Sequence, residues 1–130
     1  MINKELTKHK FNIKGRSVVE VISDCITFDN GYKLYSEHES DCCESHYLSM
    51  DDLTLSDFYG LEFDLDNDDF FRRIPDYGIE LVPIQGHSVR IPGYGYNNGY
   101  YSSQLDLYLE DVNGGIVRTY DVSECQVIEG

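Results

Sequence analysis

The chain has 130 residues and a mass of 15.0 kDa, and 41% of its residues are hydrophobic and 13% aromatic. This length suits one domain, 1–130, and the apolar content excludes a disordered chain although the formal net charge is −14. That charge repels nucleic-acid backbones, so we expect no direct binding of nucleic acid. We expect instead a protein partner with a basic surface.

The N-terminus is basic, and we expect it to carry no targeting signal. Five of the ten Lys and Arg residues lie within residues 1–16, beside a single acid, and we predict that these residues form a flexible basic arm. No apolar run reaches the ~18 residues of a membrane span, and the arm lacks the apolar core of a signal peptide. We therefore expect a cytoplasmic protein without membrane contact, in which Cys25, Cys42, Cys43 and Cys125 remain free thiols.

The first predicted elements are a strand and a hairpin. Residues 17–22 are rich in β-branched side chains, which favours a strand. The hairpin spans residues 25–35, and its length leaves a choice of loop. A three-residue loop, 29–31, opposes Ile26 to Leu34 and keeps the apolar side chains on one face, so we predict that loop.

Helix signals are confined to two short segments. In residues 54–60, Thr54 and Asp57 resemble a capping box and Gly60 a helix end, which predicts a short helix. A further helical turn is predicted in residues 67–73.

Two more hairpins follow. Residues 79–84 and 87–92 are predicted to pair around a turn at 85–86, which opposes Val82 to Val89. Pro83 lacks a backbone N–H, so we expect its strand to lie at a sheet edge or to contain a bulge.

The last hairpin has the clearest alternation of apolar and polar residues. Leu105, Leu107 and Leu109 share one face of a predicted strand, and a loop around residues 113–115 returns the chain as a second strand. The predicted fold class is therefore α+β: a strand-rich antiparallel sheet built of hairpins, with one or two short helices.

The sequence Asp-Cys-Cys-Glu at positions 41–44 is flanked by histidines and raises the question of a metal site. The candidate ligands are His38, Cys42, Cys43 and His46. Adjacent residues of an extended chain point to opposite faces, so the two cysteines would share a metal ion only across a sharp turn. We favour packing of the thiols, with metal binding and a redox role as alternatives.

Twelve acids and no Lys or Arg occur between Glu37 and Asp69. The densest part resembles the start of an EF-hand calcium loop, but Asp69 and Pro75 stand where that loop needs its glycine and its bidentate glutamate. An acidic surface presented to a basic partner is the favoured interpretation. The acids of this surface are Asp64, Asp66, Asp68 and Asp69.

Residues 93–103 are rich in Tyr, Gly, Asn and Ser, a composition typical of recognition loops and also of a glycine-rich connection that covers a sheet. The candidate binding residues are Tyr94, Tyr96, Asn97, Asn98, Tyr100 and Tyr101. For a nucleotide ligand, a tyrosine would stack on the base and arginines would bind phosphate. The candidate arginines are Arg72, Arg73 and Arg90.

The Asp-Cys-Cys-Glu segment, the preceding hairpin and the later Asn-Gly-Tyr-Tyr-Ser strand resemble an uncharacterised domain family found widely in bacteriophages and bacteria. The similar part spans residues 18–109, and the basic arm and the last strand region are additional. The resemblance implies a phage setting, in which small acidic proteins block host defence, and it implies no activity for any residue.

Three hypotheses follow. The leading one is a non-enzymatic, phage-encoded inhibitor that binds a basic host protein in the host cytoplasm through its acidic surface and its tyrosine-rich loop, without a cofactor. The second is a protein that sequesters a small nucleotide immune signal in a pocket of tyrosines and arginines. This hypothesis includes a pocket formed within a homo-oligomer. The third is a metal-binding protein at residues 41–44.

Overall fold

The computed structural model describes residues 15–37, 45–96 and 104–129, which form ten strands and two short 3₁₀ helices. The strands in chain order are β1 (Val18–Ile22), β2 (Cys25–Phe28), β3 (Lys33–Glu37), β4 (Ser45–Leu48), β5 (Phe71–Ile74), β6 (Gly78–Leu81), β7 (Val89–Tyr96), β8 (Asp106–Glu110), β9 (Ile116–Asp121) and β10 (Val127–Glu129). The helices are Leu55–Phe58 and Asp68–Phe70. The prediction of a strand-rich fold is confirmed, while the helical content of the described residues is limited to these two turns.

The strands form two five-stranded sheets. The first has the order β1-β2-β3-β8-β9, and all its neighbouring strands are antiparallel. The second has the order β10-β7-β6-β5, and β4 also pairs with β7. Among the described strands, β10 and β7 are parallel, so the expectation of a purely antiparallel arrangement is wrong for this pair.

The first predicted hairpin is confirmed in detail. Ile26 pairs with Leu34, and the N–H of Phe28 donates to the carbonyl of Tyr32 at 2.8 Å. Gly31 has a φ of +87°, which is the left-handed conformation that the three-residue loop requires. The strand predicted ahead of this hairpin is β1, which pairs with β2.

The register predicted for β6 and β7 is wrong by one residue. Val89 pairs with Leu81, whereas Val82 lies beyond the end of β6 and donates its N–H to the carbonyl of Phe70 at 2.8 Å. A shift of one residue reverses which side chains face the core, and the observed register buries both Leu81 and Val89. A loop longer than the predicted turn makes this register possible.

Pro83 lies in that loop and not in a strand. β6 is flanked by β5 and β7, so the prediction of an edge strand or a bulge at Pro83 is wrong. The next residue, Ile84, donates its N–H to the carbonyl of Glu62 at 2.8 Å. This bond fastens the loop to the acid-rich residues between β4 and β5, which we call the acidic segment.

Both predicted helical segments contain a 3₁₀ turn, but Phe71, Arg72 and Arg73 of the second segment lie in β5. The carboxylate of Asp57 accepts the N–H of Thr54 at 2.8 Å, and Gly60 follows the turn with a φ of +76°. In the second segment, the side chain of Asn67 accepts the N–H of Asp69 at 2.9 Å. These caps satisfy N–H groups that such short helices leave without a backbone partner.

One hydrophobic cluster draws side chains from both sheets and from the segment between β4 and β5. The predicted leucine face of β8 is confirmed, because Leu105, Leu107 and Leu109 are fully buried. The other large, fully buried side chains are Phe28, Phe63, Phe70, Ile26, Leu34, Leu48, Ile79, Leu81 and Ile91. The cluster therefore joins the two sheets.

The predicted arm lies mostly outside the described residues, which begin at Gly15. Arg16 exchanges two backbone hydrogen bonds with Phe63, at 2.7 and 2.9 Å, so the chain enters the fold beside the acidic segment. Among the described residues, no helix is long and apolar enough to cross a bilayer.

Candidate functional site

The predicted acidic surface is built on two consecutive side-chain turns. A carboxylate oxygen of Asp64 accepts the N–H of Asp66 at 3.2 Å, and the amide oxygen of Asn67 accepts the N–H of Asp69. Short polar side chains that bond the backbone two residues ahead are typical of tight loops. These turns hold the backbone in place while Asp66 and Asp69 remain exposed.

Asp64 and Asp69 line a cavity of about 260 Å³ with an apolar wall. The remaining lining residues are Asn67, Phe70, Val82, Pro83 and Ile84. Ile84 is 49% exposed, so the apolar wall of the cavity reaches the surface. We call this cavity the acidic groove.

Asp68 serves a different purpose from its neighbours. Its Oδ1 accepts the hydroxyl of Tyr120 at 2.8 Å and a guanidinium N–H of Arg118 at 3.1 Å, and both partners lie on β9. The four predicted acids therefore do not act as one group. Asp64 and Asp69 line the groove, Asp66 is exposed, and Asp68 connects the acidic segment to the first sheet.

A second candidate site lies on the β5-β6-β7 surface. Glu80 on β6 is directly opposite Arg72 on β5 and Arg90 on β7. One carboxylate oxygen of Glu80 accepts from Arg72, and the other accepts from Arg90 at 3.3 Å. The hydrogen bonds from Arg72 and Arg90 hold the pKa of Glu80 below its ordinary value. We call these three side chains the arginine row.

The two arginines are accessible although the carboxylate between them is not. The side chain of Glu80 is 12% exposed, whereas the side chains of Arg72 and Arg90 are 62% and 64% exposed. The guanidinium of Arg90 also lies over the ring of Tyr77, 5.7 Å from its centroid. The row thus presents two oriented guanidinium groups at the surface.

Arg73, the third predicted arginine, does not belong to this row. It follows Arg72 on the same strand and therefore points to the other face. Its Nε donates to the carbonyl of Asp121 at 2.9 Å, and its guanidinium lies over the ring of Phe71. The structure thus separates Arg73 from Arg72 and Arg90.

Two exposed tyrosines continue the surface of the arginine row. Tyr94 lies four residues after Arg90 on β7, so the two side chains share a face of the strand. Tyr47 on β4 pairs with Tyr94, and their ring centroids are 6.0 Å apart. On the opposite face of β7, Gly93 packs directly against the backbone, because a Cβ there would overlap the carbonyl oxygen of Cys125.

The rest of the predicted tyrosine-rich loop is not described. Tyr96 pairs with Ser45 through its backbone. Asn97, Asn98, Tyr100 and Tyr101 lie outside the described residues. Of the predicted loop, the structure therefore places the side chain of Tyr94 alone.

The candidate metal ligands are likewise described only at His46. This side chain is buried, and its Nδ1 lies 2.7 Å from Oε1 of Gln126, whose amide nitrogen donates to the carbonyl of Ser123. Because an amide oxygen can only accept, Nδ1 carries the proton in this contact. His46 is therefore a buried side chain whose ring is held by Gln126.

Nothing in the structure bears on the other three candidate ligands. His38, Cys42 and Cys43 lie outside the described residues. Elsewhere in the described part of the chain, no three His, Cys, Asp or Glu side chains converge as a metal site would require. Cys25 and Cys125 are free thiols, as predicted, and burial raises the pKa of both.

Sequence reasoning missed Glu80 and Tyr47. The signal for Glu80 was a single acid in an apolar strand, which gains meaning only when its cross-strand neighbours are known. Tyr47 follows His46 in a strand that the sequence analysis did not predict. Both residues belong to the site through strand pairing and not through a local motif.

Comparisons with models of protein families, with curated proteins and with solved structures give no match for this chain. The candidate sites therefore rest on their own geometry.

Proposed function

We propose that the chain is a non-enzymatic binding protein that captures a basic protein partner at the acidic groove. The observation that carries this proposal is the position of two carboxylates, Asp64 and Asp69, at a cavity whose other wall is apolar. A lysine or arginine side chain combines a cationic head with an apolar stem, and this groove complements both parts.

The surroundings of the groove favour a cationic partner further. The described part of the acidic segment contains eight acids and no Lys or Arg between β4 and β5. Within the described residues, the ion pairs of this segment are limited to the one between Asp68 and Arg118. The other seven carboxylates contribute a negative potential that would speed the approach of a basic surface.

The proposed biological setting rests on the resemblance of the sequence to a domain family of bacteriophages and bacteria. In that setting the chain would act in the host cytoplasm and block a defence protein by adhesion. The tyrosine-rich loop, 93–103, would supply additional aromatic contact area.

The groove can be tested with two charge-matched double variants. Asp64→Asn with Asp69→Asn keeps the shape of both side chains and the acceptor that bonds Asp66, while it removes two negative charges. Glu20→Gln with Glu124→Gln removes the same charge from exposed positions outside the groove. Any effect of net charge alone is therefore equal in the two proteins.

Each protein would be immobilised and exposed to bacterial lysate, and the retained proteins would be identified by mass spectrometry. We expect one basic protein that is retained by the wild type and by the control variant, and is lost from the groove variant. Its release between about 50 mM and about 500 mM salt is also expected, because screening weakens contacts between exposed charges. Equal retention by all three proteins, or retention of nothing above background, would refute the proposal.

The metal hypothesis for residues 41–44 remains a prediction. Elemental analysis of protein purified without chelator tests it directly, and a metal content far below one ion per chain would end it.

A further inference from the structure

We propose that the arginine row is a phosphate-binding site, and that it holds a nucleotide whose base packs on Tyr94 and Tyr47. The residues of this site are different from those that line the acidic groove, and the proposal does not depend on the function proposed for that groove.

The first argument is the number of hydrogen-bond donors that the row leaves available. A guanidinium group has five N–H donors in a fixed plane. Among the described residues, Arg72 and Arg90 each direct a single hydrogen bond at Glu80. The remaining donors belong to side chains that are more than half exposed, and they can bind an anion without breaking the row.

The second argument is preorganisation. Glu80 is buried on the central strand and fixes a guanidinium on each side. Two positive charges face one negative charge, so the row keeps a net positive charge. Long side chains lose rotational freedom when they bind a ligand, and a row that is already ordered reduces this cost. Phosphate is the anion that suits a pair of forked donors best.

The third argument is the aromatic surface beyond the row. Tyr94 lies four positions after Arg90 on an extended strand, which corresponds to about 13 Å between their Cα atoms. The exposed fractions of Tyr94 and Tyr47 are 44% and 39%, so both rings can contact a ligand. A flat base stacks on such rings.

These distances determine the class of ligand. Inorganic phosphate reaches the arginines alone, and a free nucleoside reaches the tyrosines alone. A nucleotide with two or more phosphates, or a dinucleotide, is long enough to contact both ends. Because the chain as a whole is strongly acidic, general electrostatic attraction does not bring anions to this surface, and direct contacts must supply the affinity.

The test is calorimetric titration of the full chain with ATP and ADP-ribose, with pyrophosphate and adenosine as probes of each end. We expect Arg72→Gln and Arg90→Gln to weaken the binding of both nucleotides by about tenfold or more, because each removes charge-assisted hydrogen bonds. The matched control is Arg73→Gln, which removes the same charge from the same strand. Its side chain points away from the row, so nucleotide binding should not change.

Two further variants test the ordering of the arginines and the aromatic end of the site separately. Glu80→Gln leaves one acceptor oxygen for two guanidinium groups, so it should loosen the row and weaken the binding of ATP and of pyrophosphate alike. Tyr94→Ala should weaken ATP binding and leave pyrophosphate binding unchanged. If an arginine variant fails to unfold cooperatively on heating, the Tyr94→Ala comparison carries the test, because that ring is exposed.

Three results would overturn the proposal. The wild type would give no heat with either nucleotide at millimolar concentration, Arg73→Gln would weaken binding as much as Arg72→Gln, or Tyr94→Ala would weaken pyrophosphate binding as much as ATP binding. The last result would mean that Tyr94 supports the fold of the site and does not contact the base.

Discussion

Tyr120 on β9 joins the two sheets through its ring and through its hydroxyl, and two substitutions separate these contributions. The ring lies edge-on to Phe71 and Phe70, with centroid distances of 4.8 and 6.0 Å. The hydroxyl donates to Asp68 at 2.8 Å and accepts from Arg118 at 3.2 Å. Tyr120→Phe removes the hydroxyl alone, and Tyr120→Ala removes the ring as well.

The two substitutions should differ severalfold in cost. A hydrogen bond to a charged group contributes about 1.5–3 kcal/mol when it is shielded from water. The side chain of Asp68 is 73% exposed, so solvent screening reduces this contribution to about 0.5–1 kcal/mol. Loss of a packed aromatic ring costs about 3–5 kcal/mol at a fully buried site. Tyr120 is half-buried, and we therefore expect about 2–4 kcal/mol for Tyr120→Ala.

Urea unfolding with linear extrapolation measures both free energies of unfolding. The loss for Tyr120→Ala should also lower the melting temperature by roughly 6–16 °C, at about 3–4 °C per kcal/mol for a chain of this size. A double-mutant cycle with Asp68→Asn isolates the contribution of the hydroxyl contact. Thr119→Ala, at an exposed neighbouring position on β9, should stay within about 0.5 kcal/mol of the wild type.

Equal costs for Tyr120→Phe and Tyr120→Ala would contradict this reasoning, because they would mean that the polar contact and not the ring joins the sheets. A cost below about 1 kcal/mol for Tyr120→Ala would show that the ring contributes little to the shared core.

Three shorter predictions concern other parts of the fold. Gly93→Ala should be so destabilised that it lacks the cooperative thermal transition of the wild type, because the added Cβ overlaps a backbone carbonyl. Gly114→Ala has open space for its Cβ and should lose only about 1 kcal/mol of stability, because of the positive φ at this position. Burial and the hydrogen bond to Glu110 raise the pKa of Tyr35 to about 12, from the ordinary tyrosine value of 10.0. The unfolded state therefore loses this proton first, and the wild type should lose more stability than Tyr35→Phe when urea unfolding is repeated between about pH 9 and about pH 11. Deletion of residues 1–14 removes four lysines and one glutamate, so the truncated chain should bind a basic partner more tightly at low salt, and an unchanged affinity would argue against long-range attraction.

The features that local sequence could predict are those fixed by short-range chemistry. The hairpin with Gly31 has a loop whose length is decided by the match of apolar residues on either side. The leucine alternation in β8 defines a buried face wherever the strand lies. The Thr54 turn is specified by its own cap. In each case the residues that decide the structure are within a few positions of one another.

The features that could not be predicted depend on contacts between distant segments. The register of β6 against β7 follows from a loop that bonds to Phe70 and Glu62, and neither contact can be read from the loop itself. The parallel pairing of β10 with β7 joins a strand of three residues to a distant partner. The arginine row needs both strand pairings of β6, so its three residues gain a common role only in the folded chain.

The two proposed sites have opposite charge requirements, and each set of variants is therefore a control for the other. Asp64→Asn with Asp69→Asn reduces the negative charge of the whole chain, so its long-range effect on an anionic nucleotide is favourable or negligible. A loss of nucleotide binding in that variant would consequently mean that the groove contacts the nucleotide, which would contradict the assignment of the nucleotide to the arginine row and the tyrosines. Conversely, Arg72→Gln makes the chain more acidic and should leave a basic partner bound at least as tightly. The sign of each cross-effect thus distinguishes two independent sites from a single surface whose binding depends on net charge.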